Sequence, residues 1–201
     1  MPPNSAAPLA CAVLLLIPPR TAAQTAADLR RETEGLARAG GNVPWSASTP
    51  LAWRQFRGKP QSTYFTVAQT SASVTYQIGC LRSETRFAAL ATFSTTDSWV
   101  RADIPADTVA GPPTLRHEQT HFDLAEVFAR ELRRALSTTP GLCPANLQRA
   151  RQLFDSLSVV SQERNARYDA ETAHGTRHEA QAAWSADVNT RLDSLAAYAD
   201  P

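Results

Sequence analysis

His117, Glu118 and His121 stand in the order His-Glu-Gln-Thr-His, the H-E-x-x-H spacing. On an α-helix, residues four apart share a face, so both imidazoles can reach one metal ion. Glu118 follows His117 by about 100° of helical rotation, which puts its carboxylate beside such an ion and not on it. From there it can take a proton from an attacking water and pass it to a leaving amine. A catalytic zinc takes three protein ligands and keeps a further position for water. A pentapeptide with three fixed residues arises by chance in roughly one chain in two hundred of this length, so a solvated pair of histidines is the plain alternative. The neighbours weigh against that alternative. Leu124, Ala125 and Phe128 fall on the same helical face as the histidines, which turns the imidazoles toward a core where they need partners.

A third ligand has to come from elsewhere. Asp123 is turned about 120° from the motif face and Glu126 about 180°, so neither joins the same ion on a straight helix. The remaining histidines are His174 and His178. His174 lies in YDAETAHG (168–175), at a turn between two predicted helices, and Asp169 in the same stretch is a carboxylate alternative. His178 falls in the first turn of the following helix and is the runner-up. Capping and packing are the ordinary roles for Tyr168, Asp169 and Thr172.

The elements that must position these groups read as α+β: a small antiparallel sheet followed by three helices, the first carrying the motif. TYFTVAQTSASVTYQIG (63–79), RFAALATFSTT (86–96) and SWVRADI (98–104) are rich in β-branched and aromatic residues and predict strands, with Gly79 and CLRSET as a turn. Pro105 to Pro113 predicts a loop, and Thr114 an N-cap for a helix over 115–136. A second helix is expected over 145–170, and a third opens near Arg177 behind a Thr176–Glu179 capping box. Upstream, 26–38 predicts a short helix and GNVPWSASTP (41–50) a linker.

The 201 residues suffice for one domain with a real core, and a formal net charge of +1 gives no basic field for nucleic acid. The apolar run Pro8–Ile17 has signal-peptide length and is too short to span a bilayer. Cleavage after Ala23 or Ala27 is expected, giving a signal peptide over 1–27, a helix and linker over 28–50, and a zinc-peptidase-like domain over 51–201. The mature chain would then be secreted or periplasmic, with no integral membrane segment. It would keep two cysteines, Cys80 and Cys143, and an even count in an oxidising compartment predicts a disulfide.

Three blocks carry a resemblance. LAWRQFRGKP (51–60), RHEQTHFDLAEVFAREL (116–132) and YDAETAHGTRHEAQAAW (168–184) are similar to the opening, the metal helix and the closing motif of a family of predicted secreted zinc-dependent proteases of bacteria, itself classed as a domain of unknown function. The resemblance implies a zinc-dependent metallopeptidase and raises His174 as the third ligand beside His117 and His121. His178 is outside that pattern. The expected function is therefore hydrolysis of a polypeptide substrate by a zinc-activated water, with Glu118 as base. Tyr168 is the first side chain to examine as donor to the tetrahedral intermediate. Two other classes fit the same residues: a zinc-containing binding module without turnover, marked by a closed four-ligand site, and a metal hydrolase acting on a non-peptide amide.

Overall fold

The computed structural model describes residues 26–61, 66–81, 83–104, 111–143 and 146–199. Residues 1–25 of the expected signal peptide, 62–65 and 105–110 lie outside them. Among the described residues, four α-helices and five strands make an α+β fold with a small antiparallel sheet.

The central element is a hairpin of β3 (Ala72–Leu81) and β4 (Glu84–Ser94), paired from Ala72↔Phe93 to Leu81↔Glu84. Gly79 therefore lies within a strand, opposite Arg86, while the reversal between Leu81 and Glu84 falls inside the CLRSET stretch expected to turn. Asn42–Pro44 is no linker: it forms β1 and pairs with the other edge of β4. The long strand expected over 63–79 is broken. Ala68–Gln69 (β2) pairs instead with Trp99–Val100 (β5) in a separate two-stranded ribbon.

Alternation along β4 builds a core on one face. Ala89, Ala91 and Phe93 join Val74 and Tyr76 of β3 against Phe122, Phe128, Leu132 and Leu136 of helix α2 (Gly111–Thr138). Ala88 and Leu90 turn the other way, and helix α1 (Ala26–Ala39) also packs on β4. Leu29, Thr33 and Ala37, spaced by four, are its buried stripe. The segment before β1 is thus part of the fold.

Helix α2 starts earlier than Thr114. Pro112 and Pro113 occupy its first turn, where a missing N–H costs nothing because no acceptor lies behind it. The helix is buried nearly all round, so its faces divide between partners. Phe122 and Phe128 meet the sheet, while Leu124 and Val127 enter a second cluster with Tyr168, Trp184, Val188 and Leu192. Those residues come from helix α3 (Leu147–Thr172) and helix α4 (His178–Ser194). Asn146 caps α3 by accepting from the Arg149 N–H. The expected capping box on α4 is absent: Arg177 is its N-cap without a side-chain bond, and the Thr176 hydroxyl donates back to the Ala173 carbonyl.

Two devices fix α2 in this bed. Glu126, turned away from the motif, accepts from Arg130 at 2.9 Å and Arg133 at 2.5 Å. Those two guanidinium groups also bond the carbonyls of Leu192 and Ala89, tying α2 to α4 and to the sheet. Each charge is buried but paired and hydrogen-bonded. Cys80 of β3 and Cys143, between α2 and α3, form a disulfide with Cα atoms 5.5 Å apart. Among the described residues, no helix is long and apolar enough to cross a membrane.

Candidate metal centre

His117 and His121 lie one turn apart on α2 and face the last turn of α3. Their Nε2 atoms are 3.2 Å apart, and Asp169 Oδ1 stands 3.1 Å from the first and 3.0 Å from the second. Ligands about 2.0–2.1 Å from one tetrahedral zinc stand about 3.3–3.4 Å from each other, so the triangle has the dimensions of one face of such a site. Two imidazoles and a carboxylate are also a donor set zinc accepts.

The orientation of both rings is imposed from behind. Asn165 Nδ2 donates to the Ser161 carbonyl, which leaves its Oδ1 to accept from His121 Nδ1–H at 2.9 Å. Gln181 does the same for His117. Its Nε2 donates to Thr120 and Ser185, and its Oε1 accepts from the Tyr168 hydroxyl at 2.7 Å and from His117 Nδ1–H at 3.2 Å. With both Nδ1 atoms donating, both Nε2 lone pairs point at Asp169 and at each other. Two such lone pairs repel unless a proton or a metal ion lies between them.

Electrostatics express that demand. Burial alone would lower the His121 pKa, but the hydrogen bond and charge of Asp169, with the nearby Glu118 charge, raise it to about 9. Asp169 moves the opposite way. Burial pushes it up, yet the bonds from His117 and His121 hold it below the usual carboxylate range. Glu118 is 3% exposed, and its Oε2 has no hydrogen-bond partner. A buried carboxylate oxygen left unpaired is costly, and such an exception calls for a reason. Its backbone carbonyl accepts from Thr70, next to β2.

The turn after α3 sets His174, the ligand expected from sequence, apart from the histidine pair. Ala173, His174 and Gly175 have φ of 47°, 54° and 82°, three left-handed residues in succession. This reversal carries the His174 side chain outward, where it is 64% exposed. Its Nδ1 lies 3.6 Å from Asp169 Oδ1 and its ring centre 6.5 Å from that of His117. The three converging donors are His117, His121 and Asp169. Gly175 is held to glycine twice over: its φ is positive, and a Cβ there would come 2.9 Å from the His117 Cβ. His178 is exposed at the start of α4.

Tyr168, the donor to be examined first, faces inward. It is fully buried, with its ring stacked 4.7 Å from His117 and its hydroxyl donating to Gln181 and the His117 carbonyl. Burial raises its pKa well above that of a free phenol. A hydroxyl committed inward cannot meet a substrate oxygen, so Tyr168 supports His117 from below. Sequence reading passed over Asn165 and Gln181 as supports. The Asn165–Asp169 spacing of four was the available signal, since it puts both on one face of α3.

The arrangement defines an α+β domain with a two-histidine, one-carboxylate cluster on a helical pair. The chain belongs to the family described as bacterial protein of unknown function, DUF922, which it matches over residues 17–175. Neither a curated protein nor a solved structure matches it.

Proposed function

We propose that the chain is a zinc-dependent metallopeptidase whose ligands are His117, His121 and Asp169 and whose general base is Glu118. One observation carries the reading: the His–His–Asp triangle lies one residue away from a buried glutamate with an unspent carboxylate oxygen. Bound zinc would polarise the scissile carbonyl and acidify water. The chain's own residues supply the rest. Gln181 and Asn165 hold the imidazoles with Nε2 forward, and Asp169 contributes one negative charge. Glu118 accepts the proton of the attacking water and returns it to the leaving nitrogen. Three donors, with His174 outside them, suit a site that keeps a position open better than a closed structural one. The Cys80–Cys143 disulfide and the apolar run at 8–17 support export.

The test pairs metal content of the purified protein with hydrolysis of a mixed peptide library by the parent and Glu118→Gln. About one zinc per chain is expected in both, with cleavage only in the parent. Equal cleavage by both would assign the reaction to another base. Zinc without cleavage of any peptide, but with cleavage of cell-wall amides, would move the substrate class.

A further inference from the structure

Resting on the peptidase reading, we propose that His174 is a catalytic residue that faces substrate: its ring N–H donates a hydrogen bond to the carbonyl oxygen that gains negative charge when water attacks. With Tyr168 turned inward, that oxygen needs another donor. His174 stands at the rim of the His–His–Asp triangle, 3.6 Å from Asp169 Oδ1, beyond hydrogen-bond range of it. Asp169 Oδ1 is already shared by His117 and His121, so the His174 ring keeps only a long ion-pair contact with it and stands largely in solvent. The role asks only for the N–H that a neutral imidazole carries.

Its backbone is the second, independent observation. His174 sits at φ 54°, where a residue with a Cβ is strained and glycine is not. The turn does not need a histidine for its own bonding. Its closing contacts are made by the backbone, from His174 N to the Asp169 carbonyl and from Arg177 N to the Thr172 carbonyl, and by the Thr172 hydroxyl with Gly175 N. Those bonds hold with any side chain at 174. Gly175 is pressed against His117, so the turn cannot slide. A strained side chain is thus held at the rim of the site by a turn whose closing bonds do not use it, the pattern expected where strain serves function.

Zinc-loaded parent, His174→Gly and His174→Asn decide the matter through melting temperature, zinc affinity, binding of methylphosphonate as a tetrahedral oxyanion, and cleavage of unfolded casein. Glycine should relieve the left-handed strain and raise Tm by about 2–4 °C. Zinc affinity should stay within about threefold, because the ligand set is intact. Methylphosphonate should bind at least about tenfold more weakly to His174→Gly, and casein cleavage should fall by roughly 10²-fold. Asn tolerates the left-handed region and keeps an N–H donor, so it should recover part of both. A loss of zinc affinity by two decades or so would make His174 a ligand and overturn the proposal. Unchanged methylphosphonate binding, or no binding to the parent, would overturn it as well. If the parent leaves casein intact, the peptidase reading fails on its own, and the methylphosphonate comparison still decides the role of His174.

Discussion

Gln181→Leu removes one acceptor from beneath two groups at once. The Tyr168 hydroxyl loses its 2.7 Å partner and keeps the His117 carbonyl at 3.2 Å and the Thr120 side chain. His117 Nδ1–H loses its acceptor altogether. Each buried donor left unsatisfied costs about 1–3 kcal/mol. Tyr168 retains a partial bond, so the sum should be about 2–4 kcal/mol, a fall in Tm of roughly 5–15 °C for a chain of this size. The effect on the metal is separable. With Nδ1 no longer held, His117 can adopt the other tautomer, and zinc affinity should drop about 10–100-fold. Gln181→Glu keeps the acceptor, so it should restore the tautomer even where its added charge disturbs Thr120 and Ser185. Zinc affinity by chelator competition and the tautomer by nitrogen-15 NMR of the histidines are the two readouts. If Gln181→Leu melts early but binds zinc within about twofold of the parent, Gln181 is a packing residue only and the tautomer argument is refuted.

Asp169→Asn should cost zinc affinity by orders of magnitude while His178→Ala leaves it unchanged, read by the same chelator competition; the reverse order would reassign the third ligand. The raised His121 pKa also predicts linkage. In metal-free protein His121 is protonated at pH 7.5, so zinc should release about one proton, seen as buffer-dependent heat, and apparent affinity should rise about tenfold per pH unit up to about 9. The sign for metal-free stability is the opposite: a folded pKa above the unfolded value of about 6.5 stabilises fully below that pH, and the contribution fades as pH rises through about 9. Replacing Cys80 and Cys143 by serine opens a loop of 63 residues and should cost about 4 kcal/mol, measurable by urea unfolding. A loss below about 1 kcal/mol would show that the unfolded chain is compact without the bond.

What the sequence disclosed follows the range of the interactions. His117, Glu118 and His121 are legible because their geometry is internal to one helix and its period fixes it. Asp169 is harder, because its place depends on how α3 returns beside α2. The expectation of His174 in its place rests on the family resemblance and on a turn that delivers its side chain inward. Three left-handed residues reverse that, and of them only Gly175 announces itself in the sequence. Strand β1 is invisible for a different reason. Three residues with Gly and Pro around them carry no alternation, and only the free edge of β4 makes them a strand. Gly79 looked like a turn because local propensity favours one there, but pairing along ten residues of hairpin outweighs it.

The Cys80–Cys143 bond lies where the chain passes from α2 to α3, and the His–His–Asp triangle lies at the far mouth of the same helical pair. An antiparallel pair ordinarily opens by fraying from its free end or by losing its turn. Here the turn is fastened by sulfur to the sheet, and the mouth would be fastened by an ion. Each clasp blocks the opening route that the other leaves available. Their joint effect should fall on the rate of opening as well as on the equilibrium, so the oxidised, metal-loaded chain should persist longer among proteases than a chain with either clasp alone.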